Sequence, residues 1–275
     1  MNRTLKKFLK RPLNLISIFL IILIVVVAIF PSKFTPHSPY SMDYDALLEG
    51  PSLKHFFGTD QFGRDIFSRC LYGLQKSVTI AFSSILLASS IGTILGLIAG
   101  YYGGLWDLII MRICDGFFAF PSLILALFIV ALFGSNLFNL IIAIGVVYVP
   151  IFARTVRGAA LSVRESLFVK ASKVIGKSSL KIMFSDVLLN LSSVLIVTFT
   201  TNLSTAFLTE ASLGFLGLSV PPPEPTLGGL VGQGTAFLIS APWIALFPGF
   251  VIAVVVLTLN ILGDGLRDVL DPKNR

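Results

Sequence analysis

Few side chains in this 275-residue sequence are of the kinds that enzymes use for catalysis or metal binding. Histidine occurs only as His37 and His55, and cysteine only as Cys70 and Cys114. The sequence has no Cys-x-x-Cys pair, no His-Glu-x-x-His motif and no Gly-x-Ser-x-Gly turn. We therefore predict no catalytic residue and no metal ligand, and we expect the histidines at surface or turn positions rather than in a metal relay.

One stretch imitates a phosphate-binding loop. Residues Ala171 to Ser178 match a relaxed A-x4-G-K-S pattern. A working loop of this type follows a buried strand and opens a helix within an α/β sheet, where its backbone amides cradle phosphates. No soluble α/β region is present, so we interpret the match as fortuitous and predict that this chain binds no ATP and no other cofactor.

The composition excludes most classes of protein in which such sites occur. Hydrophobic residues make up 55% of the chain and charged residues 13%, and the mean hydropathy is +0.90. Soluble domains carry about 25% charged residues, and their folded surface must be largely polar. An ordinary soluble enzyme, a disordered chain and a disulfide scaffold are therefore excluded, and lipid must solvate much of the surface.

Six apolar segments are long enough to cross a bilayer, which takes about 20 residues of helix. The first lacks a cleavage site and is interpreted as an uncleaved span. Three glycines of the second, at 92, 96 and 100, predict close approach of another helix. The predicted spans are Leu13–Phe30, Ser77–Gly100, about Leu105–Phe133, about Leu137–Arg157, a span within Val187–Leu218 and about Trp243–Leu262.

The basic residues predict the orientation of these spans. With both termini in the cytoplasm, 16 of the 21 lysines and arginines lie on the cytoplasmic side, seven of them between Arg154 and Lys181. This is the distribution that the positive-inside rule requires. It also accounts for the net charge of +7 without a nucleic-acid partner.

The polar segment outside the membrane, residues 31–76, contains a predicted amphipathic helix that begins at Arg64. One face of this helix is apolar, and the other carries Arg64, Asp65, Ser68, Arg69 and Gln75. The pattern is typical of a helix lying at the membrane interface. It leaves two roles open, which are a gate or docking surface and a structural lid on the bundle.

The longest cytoplasmic loop, about residues 160–185, has a lysine stripe and an apolar face. Lys170, Lys173, Lys177 and Lys181 follow helical spacing, and Gly176 predicts a bend between two short helices. An interfacial helix with snorkelling lysines and a knob offered to a cytoplasmic partner both fit the pattern.

Polar residues within the fifth span are the remaining candidates. Glu210 is the acidic residue deepest in a predicted span, and Asn202 and Thr205 lie on the same helix. Such residues either bond neighbouring helices or line a path through the membrane. For Glu210, an interhelical hydrogen bond is the preferred interpretation.

Several stretches together resemble the C-type permease subunit of bacterial ABC importers of the peptide/nickel class. The resemblance covers nearly the whole chain, and its first and last stretches are the most specific. They are His55–Arg69 (HFFGTDQFGRDIFSR), Phe120-Pro121-Ser122, Ala153–Arg157 (ARTVR), Ala211–Leu218 (ASLGFLGL), Ala241–Gly249 (APWIALFPG) and Asn260–Pro272 (NILGDGLRDVLDP).

The resemblance implies an all-α permease fold in the bacterial inner membrane, with residues 77–267 as the core and 268–275 as a cytoplasmic tail. It also implies a sister permease subunit, two ATPase subunits that bind ATP and Mg, and an extracytoplasmic substrate-binding protein. A coupling loop of pattern E-A-A-x3-G-x9-I-x-L-P is expected, although Asp186 and Leu189 depart from it. The implied coupling residues are Phe168, Val169, Lys170, Ala171, Ser172 and Gly176.

The implied activity is ATP-driven import, with hydrolysis on other chains. Peptides are the preferred substrate class, and nickel or a metal chelate is the alternative. An ion-coupled secondary transporter is the rival from another class, but it would need several intramembrane charges or broken helices at mid-depth.

Overall fold

The computed structural model describes residues 12–270, and the tail residues 1–11 and 271–275, with their predicted cytoplasmic charges, lie outside this range. Within it the chain is helical, with one isolated bridge between Thr59 and Asp65. The elements are α1 (Pro12–Ile29), α2 (Pro31–Phe34), α3 (Ile66–Tyr102), α4 (Gly104–Phe118), α5 (Ser122–Phe133), α6 (Leu137–Arg164), α7 (Leu167–Val174), α8 (Ser179–Lys181), a π-helical turn (Ile182–Val187), α9 (Leu188–Asn190), α10 (Ser192–Phe215), α11 (Leu227–Gly234), a 3₁₀ turn (Thr235–Phe237) and α12 (Trp243–Leu270).

The predicted number of membrane spans, six, is confirmed when one bent helix pair is counted as a single span. Helices α1, α3, α6, α10 and α12 are long and apolar enough to cross a bilayer, and the α4–α5 pair makes a sixth span when counted as one. Two helices extend beyond their predicted ends, since α6 continues to Arg164 and α12 to Leu270. The charged residues Asp264 and Arg267, predicted in a tail, are therefore helical.

The third span is not the continuous helix that was predicted for Leu105–Phe133. Helices α4 and α5 meet at an angle of 88°. Pro121 has ψ of 131°, which is extended backbone. A proline supplies no amide hydrogen for the helix and disfavours the helical region for Phe120 before it. The bend therefore follows from a residue that was already visible in the sequence.

The predicted interfacial helix is not a separate element. Helix α3 runs unbroken for 37 residues from Ile66 to Tyr102. Four of the five polar side chains assigned to its polar face, including Arg69 at 1% exposure and Ser68 at 0%, are buried within the fold of residues 35–65, and Gln75 is half-buried. Burial is possible because each charge has a partner within that segment, and such pairing offsets desolvation.

The glycine prediction for the second span is confirmed by the packing of α3 on α6. A Cβ at Gly96 would lie 2.5 Å from the carbonyl oxygen of Ala153, and one at Gly100 would lie 2.7 Å from Cβ of Ala160. Only glycine lets the two backbones approach this closely. Helices α3 and α6 therefore form one tightly packed pair that carries loops at both ends.

The two ends of α3 define the two ends of the molecule. At the Asp65 end, Trp243 Nε1 donates to the Thr59 carbonyl at 3.1 Å, and Leu227 N donates to Ser77 Oγ at 3.3 Å. At the Tyr102 end, Tyr101 and Leu97 pack against Val169 and the π-helical turn. The 165–187 loop thus lies at the end opposite the 35–65 segment.

Candidate functional site

The 165–187 loop is built around the short helix α7. Val169 is fully buried, and it packs in a cluster with residues of α3, α6 and the π-helical turn. Most of the other side chains of α7 point away from the bundle. Lys170 is exposed and lies 3.4 Å from Glu165, and Ala171 is also exposed. One buried residue therefore anchors a helix whose surface is otherwise largely exposed.

An exposed apolar patch covers the outer surface of α7. Val174 is 89% exposed and Ile175 is 84% exposed, and Leu167 and Phe168 complete the patch. Apolar side chains exposed together at a loop are typical of a surface that a partner protein or the membrane interface covers. The patch consists of residues 167, 168, 174 and 175.

Gly176 ends α7 in a defined way. Its φ is +83°, and its amide donates to the Lys173 carbonyl at 3.0 Å, while the Lys177 amide donates to the Ser172 carbonyl at 3.1 Å. These two bonds make a Schellman motif, in which the residue in the left-handed region is usually glycine. The predicted bend at Gly176 is confirmed, and its cause is this left-handed cap.

The predicted lysine stripe does not form, because α7 stops before Lys177. Lys173 instead lies over the Tyr101 ring, 5.1 Å from its centroid. Lys177 turns back, and its Nζ lies 2.6 Å from Asp186 Oδ1 and 2.7 Å from Ser185 Oγ. The hydrogen bond from Lys177 is the largest cause holding the pKa of Asp186 below its ordinary value.

The loop is tied to the bundle by Arg164, the last residue of α6. Its Nη1 donates to the carbonyl oxygens of Gly100 and Tyr101, at 3.4 and 3.3 Å. These carbonyls belong to the last turn of α3, where acceptors lack helical partners and attract positive charge. Arg164 therefore couples the root of the 165–187 loop to the end of α3.

Two ion pairs hold α4 against α6 toward the same end. Arg157 binds both carboxylate oxygens of Asp107. Arg154 lies 2.7 Å from Asp115 and stacks on the Phe118 ring, 4.1 Å from its centroid. Asp107 and Asp115 of α4 are thus paired with two arginines of α6.

The polar residues predicted in the fifth span occupy different surroundings. Glu210 is fully buried and accepts a bond from Ser219 Oγ at 3.2 Å. Asn202 and Thr205 donate to the carbonyls of Thr198 and Thr201 on their own helix. Glu210 thus bonds a neighbouring loop, whereas Asn202 and Thr205 make no bond to another helix within the described part of the chain.

A hydroxyl face on α10 was not recognised from the sequence. Thr198, Thr201, Thr205 and Ser212 share one side of the helix, and each is exposed or half-exposed. The signal was their spacing of three, four and seven residues. Three of these hydroxyls, of Thr201, Thr205 and Ser212, donate to carbonyls one turn earlier in α10, which satisfies them within the helix.

The stretch His55–Arg69 at the Asp65 end forms a network around two carboxylates. Asp60 accepts from Arg64 Nε at 2.6 Å and from the Arg64 and Phe62 amides. Asp65 caps α3 by accepting from the Ser68 amide at 2.7 Å. These contacts order the segment and attach it to the helix, as a structural lid requires.

Comparison with known proteins decides the family. The profile of the family described as "Binding-protein-dependent transport system inner membrane component" matches residues 92–275. The chain belongs to this family. A second profile, for the N-terminal transmembrane domain of oligopeptide transport permease C, matches residues 1–51 of the chain. The protein is therefore a multi-pass membrane permease, and the resemblance inferred from the sequence is confirmed.

Its relatives are transport permeases. The dipeptide transport system permease protein DppC of Alkalihalophilus pseudofirmus is 45% identical, and the match covers 98% of this permease and 88% of the relative. The glutathione transport system permease protein GsiD of Escherichia coli O6:K15:H31 is 43% identical, with 98% and 89% covered.

The fold of the permease is similar to that of a solved importer. A chain from the inward-facing MetNI methionine ABC transporter matches with a TM-score of 0.58 at 21% identity. The match covers 72% of this permease and 94% of that chain. The predicted ABC importer permease fold is thereby confirmed.

Proposed function

We propose that this permease forms half of the translocation pathway of an ATP-driven importer of short peptides in the bacterial inner membrane. The names of the dipeptide and glutathione permeases support a peptide substrate, since glutathione is itself a small peptide. The other half of the pathway is a sister permease, and an extracytoplasmic binding protein delivers the substrate.

In this proposal the 165–187 loop faces the cytoplasm and receives the motion of two ATPase subunits, which bind ATP and Mg. The observation that carries the proposal is the apolar patch on α7, held outward by the buried Val169. Phe168, Lys170, Ala171, Ser172 and Gly176 shape the contact surface. Exposing a patch of this kind to water is unfavourable, and covering it with a partner lowers the free energy.

The movement passes from the loop into the bundle through rigid contacts. Val169 packs on α3 and α6, and Arg164 binds the end of α3. A shift of α7 therefore moves the α3–α6 pair as a body, which is how two packings of one bundle alternate. The hydroxyl face of α10 then lines the path, together with the sister subunit.

The experiment uses the assembled transporter carrying a single new cysteine. The native Cys70 and Cys114 are buried, so Phe168→Cys offers the reactive thiol at the patch. Tyr44→Cys, exposed at the Asp65 end, is the matched control. We expect a bifunctional reagent to link Phe168→Cys, and not Tyr44→Cys, to an ATPase subunit.

Transport is measured in proteoliposomes with a labelled dipeptide. Uptake should require ATP and the binding protein, and it should persist when an ionophore removes the proton and sodium gradients. Uptake that follows the gradient and ignores ATP would favour the ion-coupled transporter. Cross-linking of Tyr44→Cys in place of Phe168→Cys would overturn the assignment of the loop.

A further inference from the structure

The chain's two histidines meet within the 35–65 segment. The ring centroids of His37 and His55 are 4.8 Å apart, with 33° between the planes. One potential ligand atom from each of His37, His55 and Asp65 lies within 4.8 Å of the other two. His55 is in a turn, as expected, but it is 3% exposed and so is not a surface residue.

Each imidazole has one nitrogen committed to an acceptor. His55 Nδ1 lies 2.9 Å from Asp65 Oδ1. His37 Nε2 lies 2.9 Å from the Lys54 carbonyl oxygen, which can only accept, so this nitrogen carries the proton. Metal-binding histidines show this arrangement, in which the outer nitrogen donates to a carboxylate or a carbonyl and orients the ring.

The second ring nitrogen of His55 has no comparable partner among the described residues. Its Nε2 is buried and has no hydrogen-bond partner among the described residues. A buried polar atom without a partner costs roughly 1–3 kcal/mol. The lone pair of a neutral imidazole in this position is therefore available to a ligand, and a metal ion would satisfy it.

The nearby basic residues are offset by carboxylates, and the buried Arg69 lies 3.8 Å from Asp60. Lys54 is paired with Asp43 at 3.4 Å, and Arg64 is paired with Asp60 at 2.6 Å. The geometry is also fixed in advance, because the Ser68 amide holds Asp65 and the Ser68 hydroxyl accepts from the His37 amide at 3.4 Å.

We propose that His37 and His55 bind one divalent transition-metal ion through His37 Nδ1 and His55 Nε2, with Asp65 orienting His55. Imidazole pairs suit zinc, copper and nickel, and water fills the remaining positions. The ion joins the start of the 35–65 segment to its end and to the cap of α3. The proposal does not depend on the transported substrate.

The test uses the full chain, purified in lipid nanodiscs with a tag that contains no histidine. Titration calorimetry with Zn²⁺ should give one site per chain. Electron paramagnetic resonance of bound Cu²⁺ should show two imidazole nitrogens, and these can come only from His37 and His55 because the sequence holds no other histidine.

Half-exposed His37 provides the decisive variant, because its replacement leaves the buried Asp65–His55 pair in place. We expect His37→Ala to retain one imidazole signal and to weaken Zn²⁺ binding at least about tenfold, the smallest loss seen for outer-shell partners. Asp45→Asn removes an exposed carboxylate of the same segment and should leave binding unchanged.

Three results would overturn the proposal. They are the absence of Zn²⁺ binding by the native chain, native affinity in His37→Ala, and equal weakening by Asp45→Asn, which would indicate unspecific binding to acidic groups. Circular dichroism of each variant establishes that the helices are retained.

Discussion

Lys177 Nζ lies 2.6 Å from Asp186 Oδ1, so the 165–187 loop is closed on itself by an ion pair. The pair occupies a position where the family's coupling pattern has an apolar residue three places before a proline. In this chain the Lys177–Asp186 salt bridge fixes the second half of the loop in place of that apolar residue. Asp186 departs from the coupling pattern, but its ion pair with Lys177 stabilises the loop at the same position.

Removing either charge should loosen the loop. We expect Lys177→Met to raise the hydrogen-exchange rates of amides 176–187, because the π-helical turn loses its tie to the cap of α7. Mass spectrometry of the exchanged peptides measures this. The exchanged pair Lys177→Asp with Asp186→Lys should restore protection, and protection unchanged in Lys177→Met would contradict the role.

The ion pair should be insensitive to pH across the neutral range. Because the pKa of Asp186 is lowered in the folded chain, its stabilising contribution is present above the unfolded pKa and is lost only as the pH falls through the lower, folded value. Exchange in peptide 176–187, corrected for intrinsic rates, should stay constant from about pH 8 to about pH 5. A rise within that interval would mean that another group controls the loop.

Gly176→Ala should uncouple the transporter without a steric clash. A Cβ there would meet nothing within 4 Å, but the φ of +83° costs a side chain about 1–2 kcal/mol. We expect lower stimulation of ATP hydrolysis by loaded binding protein. Gly176→Asn, which tolerates this conformation better, should retain more of it. Gly158→Ala, a change in α6 that also meets nothing within 4 Å, should behave as the native protein.

Two neighbouring positions on α7 should separate stability from coupling. Val169→Ala removes buried methyl groups and should destabilise the chain by about 2 kcal/mol, which thermal unfolding in detergent measures. Val174→Ser changes an exposed residue and should leave the melting temperature unchanged while reducing stimulated ATP hydrolysis. Full stimulation of ATP hydrolysis in Val174→Ser would show that the patch is not part of the docking surface.

Adding a side-chain carbon to a glycine at the α3–α6 contact should destabilise the protein. Gly96→Ala places a Cβ 2.5 Å from the Ala153 carbonyl oxygen, and such overpacking costs typically 1–3 kcal/mol. The melting temperature should fall. Gly116→Ala on α4, where nothing lies within 4 Å, is the matched control, and an equal fall in both variants would refute the packing argument.

Much of this architecture could be predicted from hydropathy, because lipid requires long apolar helices and leaves few alternatives. The glycine spacing also predicted correctly that another helix approaches α3 closely, and the structure identifies that helix as α6. The bend at Pro121 and the end of α7 at Gly176 have local causes, whereas the error at the predicted interfacial helix arose because a local pattern had a tertiary partner. Arg69 and Ser68 looked solvent-facing on their own helix, and only the fold of residues 35–65 over them makes that face an interior one.

The hydroxyl face of α10 and the histidine pair were missed for different reasons. Thr205 was named as a candidate, but Thr198, Thr201 and Ser212 were not grouped with it, because apolar neighbours outweigh single hydroxyls in a hydropathy average. His37 and His55 are 18 positions apart in a segment without regular structure, so no periodicity relates them. Their meeting depends on the turns that return residue 55 to the start of α3.

The length of α3 has a mechanical consequence. Thirty-seven residues at 1.5 Å each make a rod of about 55 Å, which is nearly twice the thickness of the hydrocarbon core. A rotation of about 5° around its midpoint displaces each tip by roughly 2 Å in opposite directions. A tilt of α3 about a point inside the membrane would therefore move its Tyr102 end and its Asp65 end in opposite directions.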